Sequence, residues 1–289
     1  PWDGVTDLDT YDCVWIVPKH EIYVGGVAMY DGDYLAVGAT TTQTTKPSGG
    51  YAYFKDDTLI LNDYEYEGKG YMWDYGGYYA CIYGPTSLNI VLNGSSRIAQ
   101  TDGDTPFDCI YSLGDVVVSG TGSLTLTDGY SGIYTESNVT IDGGTITVQD
   151  VSVGIFTHDY VTVNGGAIHV TSEEYSIIGS TGITINGGEL TLVSTNTVKD
   201  STYYAMYSDS ITIADGLKVQ ASTDPDGTLV DYVAADNNTY DRVVISAPDV
   251  YVGGVGMNDG DYLAVGATAT QTTKPSGGYA YYKLSLIYI

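Results

Sequence analysis

Residues 131–170 read SGIYTESNVTIDGGTITVQDVSVGIFTHDYVTVNGGAIHV, and one pattern is written in them twice. Ser131-Gly132-Ile133-Tyr134 answers to Val153-Gly154-Ile155-Phe156. Val139-Thr140-Ile141-Asp142-Gly143-Gly144 answers to Val161-Thr162-Val163-Asn164-Gly165-Gly166. Outward from this pair the first half of the unit returns at Ala80-Cys81-Ile82-Tyr83, Asp108-Cys109-Ile110-Tyr111, Ser176-Ile177-Ile178-Gly179 and Tyr204-Ala205-Met206-Tyr207. Taking the central apolar residues at 82, 110, 133, 155, 178 and 206, the spacings are 28, 23, 22, 23 and 28 residues. A period of this length built from short alternating runs signals a solenoid of strands.

The runs themselves read Val139/Ile141 then Ile146/Val148, and Val161/Val163 then Ile168/Val170, with Leu217/Val219 as the last of the second series. Alternation at period two buries one face and wets the other. Between the runs stand Asp142-Gly143-Gly144, Asn164-Gly165-Gly166 and Asn186-Gly187-Gly188. Gly takes positive φ without steric cost and Asn or Asp tolerates it, so these are tight corners. Three short strands per repeat, stacked in parallel, predict an all-β fold: a parallel β-helix on the order of 30 Å long at about 4.8 Å per turn.

The two ends carry a second, stronger repeat. Tyr23–Lys55 and Tyr251–Lys283 differ at four of 33 positions: Ala28/Gly256, Tyr30/Asn258, Thr41/Ala269 and Phe54/Tyr282. The reading that follows divides the chain into the tail of a preceding unit (1–20), a small N-terminal β cap (21–63), the β-helix body (64–222), a closing segment (223–249) and the head of a following unit (250–289). Either the chain is a window on a tandem array, or its matched ends join neighbouring molecules.

Net charge is −26, from 36 acids against 10 Lys plus Arg. This excludes nucleic acid and anionic membrane as natural partners. It suits an extracellular protein, secreted or on a cell surface, and leaves carboxylates free for calcium. The acid-Gly-acid turns Asp31/Asp33 and Asp102/Asp104 are candidate calcium ligands, with solvated turns as the alternative. Cys81 and Cys109 hold the same place one repeat apart, at about the 4.8 Å strand spacing, and are either a disulfide or two stacked thiols.

If Ile82, Ile110, Ile133 and Ile155 face inward, their neighbours face outward. Tyr83, Tyr111, Tyr134, Phe156 and Tyr207 then form a ladder broken at Gly179, a platform for sugar faces, unless the rings pack inside. Trp73 and Tyr75 belong to an aromatic-rich approach segment and are read with them. A β-helix lyase needs a cationic base beside metal-binding acids, but Arg97, Lys199, Lys218 and Arg242 fall on different repeats with no shared pattern. A hydrolase needs two placed carboxylates, and no pair stands out, so no enzyme activity is expected.

Tyr23–Val27, Thr58–Asn62, Gly132–Tyr134 and the Val-Thr-Ile-Asp/Asn-Gly-Gly corners resemble bacterial surface proteins described as carbohydrate-binding-domain-containing. The resemblance covers roughly residues 22–221. It implies a right-handed parallel β-helix outside the cell, acidic polysaccharide as one ligand class, and calcium as a helper. The function expected is a polysaccharide-binding module of an adhesin or fibre. The alternative is a purely structural subunit of a filament, stalk or sheath, self-associating through its ends.

Overall fold

The computed structural model describes residues 21–74, 76–101, 107–196, 203–234 and 238–283. The expected tail at 1–20 and the end of the second head at 284–289 lie outside the described residues. Among the described residues the chain is all-β, with no α-helix.

Each repeat of the body but the last gives one strand to each of three stacks. The first, the aromatic face, runs through Tyr78–Gly84, Phe107–Ser112, Ser131–Thr135 and the C-terminal halves of Thr145–Thr157 and Ala167–Gly179, to Met206–Tyr207. The second, the threonine face, runs through Thr58–Asn62, Leu88–Asn93, Val116–Gly120, Val139–Ile141, Tyr160–Val163, Gly182–Ile185 and Ile211–Ile213. The third runs through Glu65–Glu67, Ser95–Ala99, Ser123–Thr127, the N-terminal halves of the two long strands, and Glu189–Ser194. Within each stack, successive repeats pair in parallel, residue against equivalent residue. The alternation dictates the core: Ile82, Ile110, Ile133 and Ile155 are fully buried, facing Val118, Ile141, Leu126 and Val148 in one continuous cluster.

The corners follow from residue type. Gly144, Gly166 and Gly188 sit at φ 84°, 90° and 96°. The Asn and Asp before them hydrogen-bond from one repeat to the next: Asn186 Nδ2 donates to Asn164 Oδ1, and Asn164 Nδ2 to Asp142 Oδ1, both at 2.8 Å. At the end of the aromatic strands stands a column the sequence did not announce. Ser112, Thr135, Thr157 and Ser208 are buried, and each hydroxyl donates to a turn carbonyl, of Thr86, Gly114, Ser137 and Gly179 respectively. A buried hydroxyl needs such a partner.

Two expectations are corrected, and the alternative left open at the cysteines is resolved. The fifth repeat is out by one residue: Ile155 pairs with Ile177 and Phe156 with Ile178, so Ile177 is the inward residue and Ile178, not Gly179, continues the aromatic column. The cause is a register shift before it, where Val151 stands opposite Ser172 but Val153 opposite Tyr175. The Leu217/Val219 run does not stack in parallel on Glu189–Ser194. Arg242–Ser246 takes that place antiparallel, burying Val243 and Ile245, and Lys218–Ser222 pairs outside it. Cys81 and Cys109 are free thiols, not a disulfide. In-register parallel strands hold equivalent side chains at the strand spacing of about 4.8 Å, beyond the Cβ separation of about 3.8 Å that a disulfide requires. Cys81 Sγ points to Gly68 O (3.4 Å) and Ala99 O (3.7 Å), Cys109 Sγ to Thr127 O (3.5 Å). Burial raises both thiols, Cys109 to about 12, so they act as small apolar residues at a corner. The equivalent Gly132 and Gly154 could not carry a Cβ, which would lie 2.7 and 2.3 Å from the next repeat's carbonyl.

The N-terminal head seats on the first repeat. Glu21–Val24 and Val27–Tyr30 form a hairpin around Gly25 and Gly26, at φ 59° and 78°. Its first strand pairs antiparallel with the aromatic face, Tyr23 opposite Tyr83 and Val24 opposite Ile82. Asp33–Ala36 and Tyr51–Lys55 extend the threonine face through Thr58–Asn62. A stack of strands needs such a cover, because a bare end exposes core and strand edges.

Candidate functional site

The aromatic column is assembled as the spacing required. Tyr83, Tyr111, Tyr134, Phe156, Ile178 and Tyr207 are consecutive partners on the outer side of the aromatic face. Ring centroids are 6.0 Å apart for Tyr83–Tyr111, 5.0 Å for Tyr111–Tyr134 and 4.8 Å for Tyr134–Phe156. Exposure along the column is uneven, and Trp73 is the reason. Tyr71–Asp74 folds back antiparallel on Tyr78–Gly84, with a register shift between Met72 and Asp74. Such a bulge re-aims a side chain, and here the indole lies parallel on Tyr111 at 4.1 Å and 6°. Tyr111 is left 1% exposed. Tyr23 and Tyr71, stacked at 3.6 Å, close the same end beside Tyr83. Tyr83, Tyr134 and Phe156 are half-buried and Tyr207 is exposed. The candidates therefore split: Tyr83 and Tyr111 serve packing, while Trp73, Tyr134 and Phe156 face open space. Tyr75 lies outside the described residues.

That open space is a groove of about 1440 Å³ along the corner between the third stack and the aromatic face. Trp73, Tyr78, Tyr134, Phe156 and Ile178 line it. Tyr130 and Tyr175 flank it, and Tyr175 meets Tyr207 at 5.2 Å. The same groove is lined by carboxylates from successive repeats: Glu67, Asp108, Asp128, Asp150, Glu173 and Glu174. Asp128 and Asp150 follow the third-stack strands at one corner, at φ 64° and 55°. Arg97 lines the groove too, and is engaged by Glu67 at 3.5 Å and Asp128 at 3.8 Å.

Two lining residues carry a buried polar atom without a partner. Gln100, 3% exposed, donates through Nε2 to Lys69 O and Asp108 O, both at 3.1 Å, and its Oε1 has no protein partner. Trp73 Nε1 has none either. Such atoms cost free energy unless something supplies the missing hydrogen bond. Asp108, 4% exposed, is pushed up to about 7 by burial, against hydrogen bonds from Ser131 that favour its charged form. Burial, then the neighbouring Glu173, raises Glu174. Behind the rings, Tyr111 donates to Glu136 Oε1 at 2.9 Å, and Tyr134 Oη lies 3.0 Å from His158 Nε2, itself 3.3 Å from Glu136. These contacts hold the ring edges in place.

Sequence reasoning found Trp73, Tyr134 and Phe156 but missed Gln100, Asp108, Tyr130 and Tyr175. One signal was present: an Asp directly after the second run of consecutive repeats, at Asp128 and Asp150. The calcium candidates fare differently. Asp31 Oδ1 accepts from Asp56 N at 2.7 Å and Asp33 Oδ2 from Tyr30 N at 2.9 Å, so both carboxylates shape turns of the head. Asp102 and Asp104 lie outside the described residues. Among the described residues, no three His, Cys, Asp or Glu gather as a metal site would need. No helix of the described residues is long and apolar enough to cross a membrane.

The family model of carbohydrate-binding domain-containing proteins matches residues 83–252, more than half of the chain, and takes in most of the aromatic column. No curated protein and no solved structure matches.

Proposed function

The chain belongs to the carbohydrate-binding domain-containing protein family, and on that premise we propose that it binds a neutral or amino-sugar polysaccharide in the groove beside Tyr134 and Phe156. The observation that carries this is the groove's make-up: aromatic rings and carboxylates line one groove. A pyranose has an apolar C–H face and a rim of hydroxyls. Tyr134, Phe156 and Trp73 offer flat apolar surface to the first. Asp128, Asp150 and Glu174 accept hydrogen bonds from the second, more strongly than neutral acceptors do. A uronic-acid polymer would bring like charge to six carboxylates and one already paired Arg. This favours neutral or cationic sugars over the acidic class that the family resemblance suggested.

The parallel, in-register stacks support reading the body as a parallel β-helix, and the near-universal hand of parallel crossovers makes it right-handed. Such a body is a stiff scaffold whose repeat sets the length of the groove. The family match favours a binding module without catalysis, and the net charge of −26 suits an adhesin-type module outside the cell. Retention on immobilised neutral, amino-sugar and uronic-acid polysaccharides tests the reading. Wild type should be held by one of the first two. Phe156→Ala and Tyr134→Ala should each weaken retention about tenfold, from the loss of about 1–3 kcal/mol of ring contact. Retention by uronic-acid polymer alone, or by none, overturns it. A chelator arm reads whether calcium contributes.

A further inference from the structure

Behind the rings lies a pair of side chains outside the groove's own lining, His158 and Glu136. They stand two residues after Phe156 and Tyr134, the rings of consecutive repeats. One nitrogen, His158 Nε2, is within reach of two partners: Tyr134 Oη at 3.0 Å and Glu136 Oε2 at 3.3 Å. The other oxygen of that carboxylate accepts from Tyr111 Oη at 2.9 Å. The imidazole also meets the Phe156 ring near-perpendicular, at 5.0 Å and 82°. Tyr111 in turn carries Trp73 at 4.1 Å. The pair therefore touches, directly or through Tyr111, the three rings to which the proposed function assigns the sugar.

Histidine changes charge across physiological pH. Unprotonated, Nε2 accepts the Tyr134 hydroxyl proton, and no proton then stands between it and the Glu136 carboxylate. With both ring nitrogens protonated it can only donate, and the carboxylate is the stronger acceptor for an ionised donor. The Tyr134 hydroxyl then turns its proton to Glu136 as well, so that Tyr111, Tyr134 and His158 all close on one carboxylate. The geometry points to a pH-sensitive catch behind the sugar-facing rings, built from His158 and Glu136 and closed when the imidazole is protonated. This rests on the groove being the sugar site, and adds that its hold strengthens as pH falls. An open catch leaves Tyr134 and Phe156 to be ordered on binding, which weakens it. The His158 and Glu136 side chains are 48% and 39% exposed, so the catch changes binding a few-fold and does not switch it off. Among the described residues, the titratable groups facing His158 are Glu136 and Tyr134, from the repeat before. From the repeat after, Thr181 donates its hydroxyl to His158 O at 3.4 Å and brings no charge, and Asp159 is the next residue in the chain.

Two readouts on the full chain test it. The first needs no ligand. The NMR signal of Tyr134 Cζ should shift with the same midpoint as the His158 imidazole, and that step should vanish in His158→Gln. The second is retention on the neutral or amino-sugar polysaccharide that holds wild type. Asp108 changes charge over the same range, so the ratio of retention at about pH 5 to that at about pH 8 is compared between chains that all keep it. The wild-type ratio should exceed that of His158→Gln about threefold. Glu136→Gln, which leaves an acceptor for Tyr111 but no charge for His158, should behave like His158→Gln. A Tyr134 signal that does not follow the His158 titration, or equal ratios in wild type and both variants, would overturn the catch, while retention itself leaves the groove reading standing. Wild type held by no polysaccharide at either pH overturns the groove reading instead, and the Tyr134 signal then decides the catch alone.

Discussion

The two heads form an internal control. Their local geometry is the same: Gly25 and Gly26 at φ 59° and 78°, Gly253 and Gly254 at 60° and 84°. Tyr34 stacks on Tyr53 at 4.2 Å and Tyr262 on Tyr281 at 4.4 Å. Lys46 lies over Tyr51 at 5.1 Å and Lys274 over Tyr279 at 5.4 Å. Both hairpins hide their own Met and Leu, Met29 and Leu35 or Met257 and Leu263. What differs is the strand pairing: the first head continues the body's sheets, whereas the second meets the body near Gly216 and through Lys218–Asp249. Sequence sets the hairpins, then, and the neighbouring strand sets their burial. Equivalent substitutions in the two copies should separate these contributions.

The largest difference is expected for a charge at the seated valine. Val24→Asp buries an unpaired carboxylate and should cost about 3–5 kcal/mol, whereas Val252→Asp at a half-buried site should cost under about 1 kcal/mol. Thermal melts of the two variants measure the gap. Equal losses would break the comparison.

Next comes pH, which reaches the seated head through the body. Burial raises Asp108 from an ordinary 3.8 to about 7. Below about pH 4 the group is protonated whether the chain is folded or not. Between about 4 and 7 unfolding releases its proton, so its contribution falls as pH rises, and above 7 the fold carries a buried charge. Asp108→Asn should therefore stabilise the body at pH 8, on the order of 2–4 kcal/mol, and change little at pH 4. Protection of the Val24 amide in hydrogen exchange should follow this gain, and that of the Val252 amide should not. A Val252 amide that tracked the body would mean the second head is coupled to it after all.

Smaller effects refine the picture. Tyr23→Ala loses the Tyr71 stack and should cost about 1–3 kcal/mol, against a change within about 0.5 kcal/mol for Tyr251→Ala in denaturant unfolding. Gly25→Ala and Gly253→Ala both place a side chain at positive φ, costing about 1 kcal/mol each. Only Gly25→Ala adds a clash, its Cβ 2.7 Å from the Tyr66 ring, while Gly253 has open space. The difference between that pair isolates the body's contribution from the turn's own.

The stacks were legible because alternation and a corner Asn-Gly-Gly or Asp-Gly-Gly recur in consecutive repeats, so Ile133, Ile155 and their neighbours declare both spacing and facing. The fifth repeat was misread by one residue because Ser176-Ile177-Ile178-Gly179 offers two adjacent isoleucines, and only the bulge around Glu173 and Glu174 decides between them. Leu217 and Val219 alternate as well as any strand. They were displaced by Arg242–Ser246, a competition between distant segments that no local pattern records. The aromatic column was legible as a row of rings, but the groove was not. Its acids come from separate repeats, Gln100 Nε2 donates to Asp108 O, and Trp73 covers Tyr111 only because a bulge swings it there.

A ligand lying along the rings of the aromatic face would protect their strands in hydrogen exchange with and without a saturating neutral or amino-sugar oligosaccharide. Added protection should fall in Ser131–Thr135, in the Val153–Thr157 end of its strand and at Asp128–Tyr130, leaving Leu88–Asn93 and Val116–Gly120 of the threonine face unchanged. Protection confined to the threonine face, or none at saturating ligand, would contradict the account.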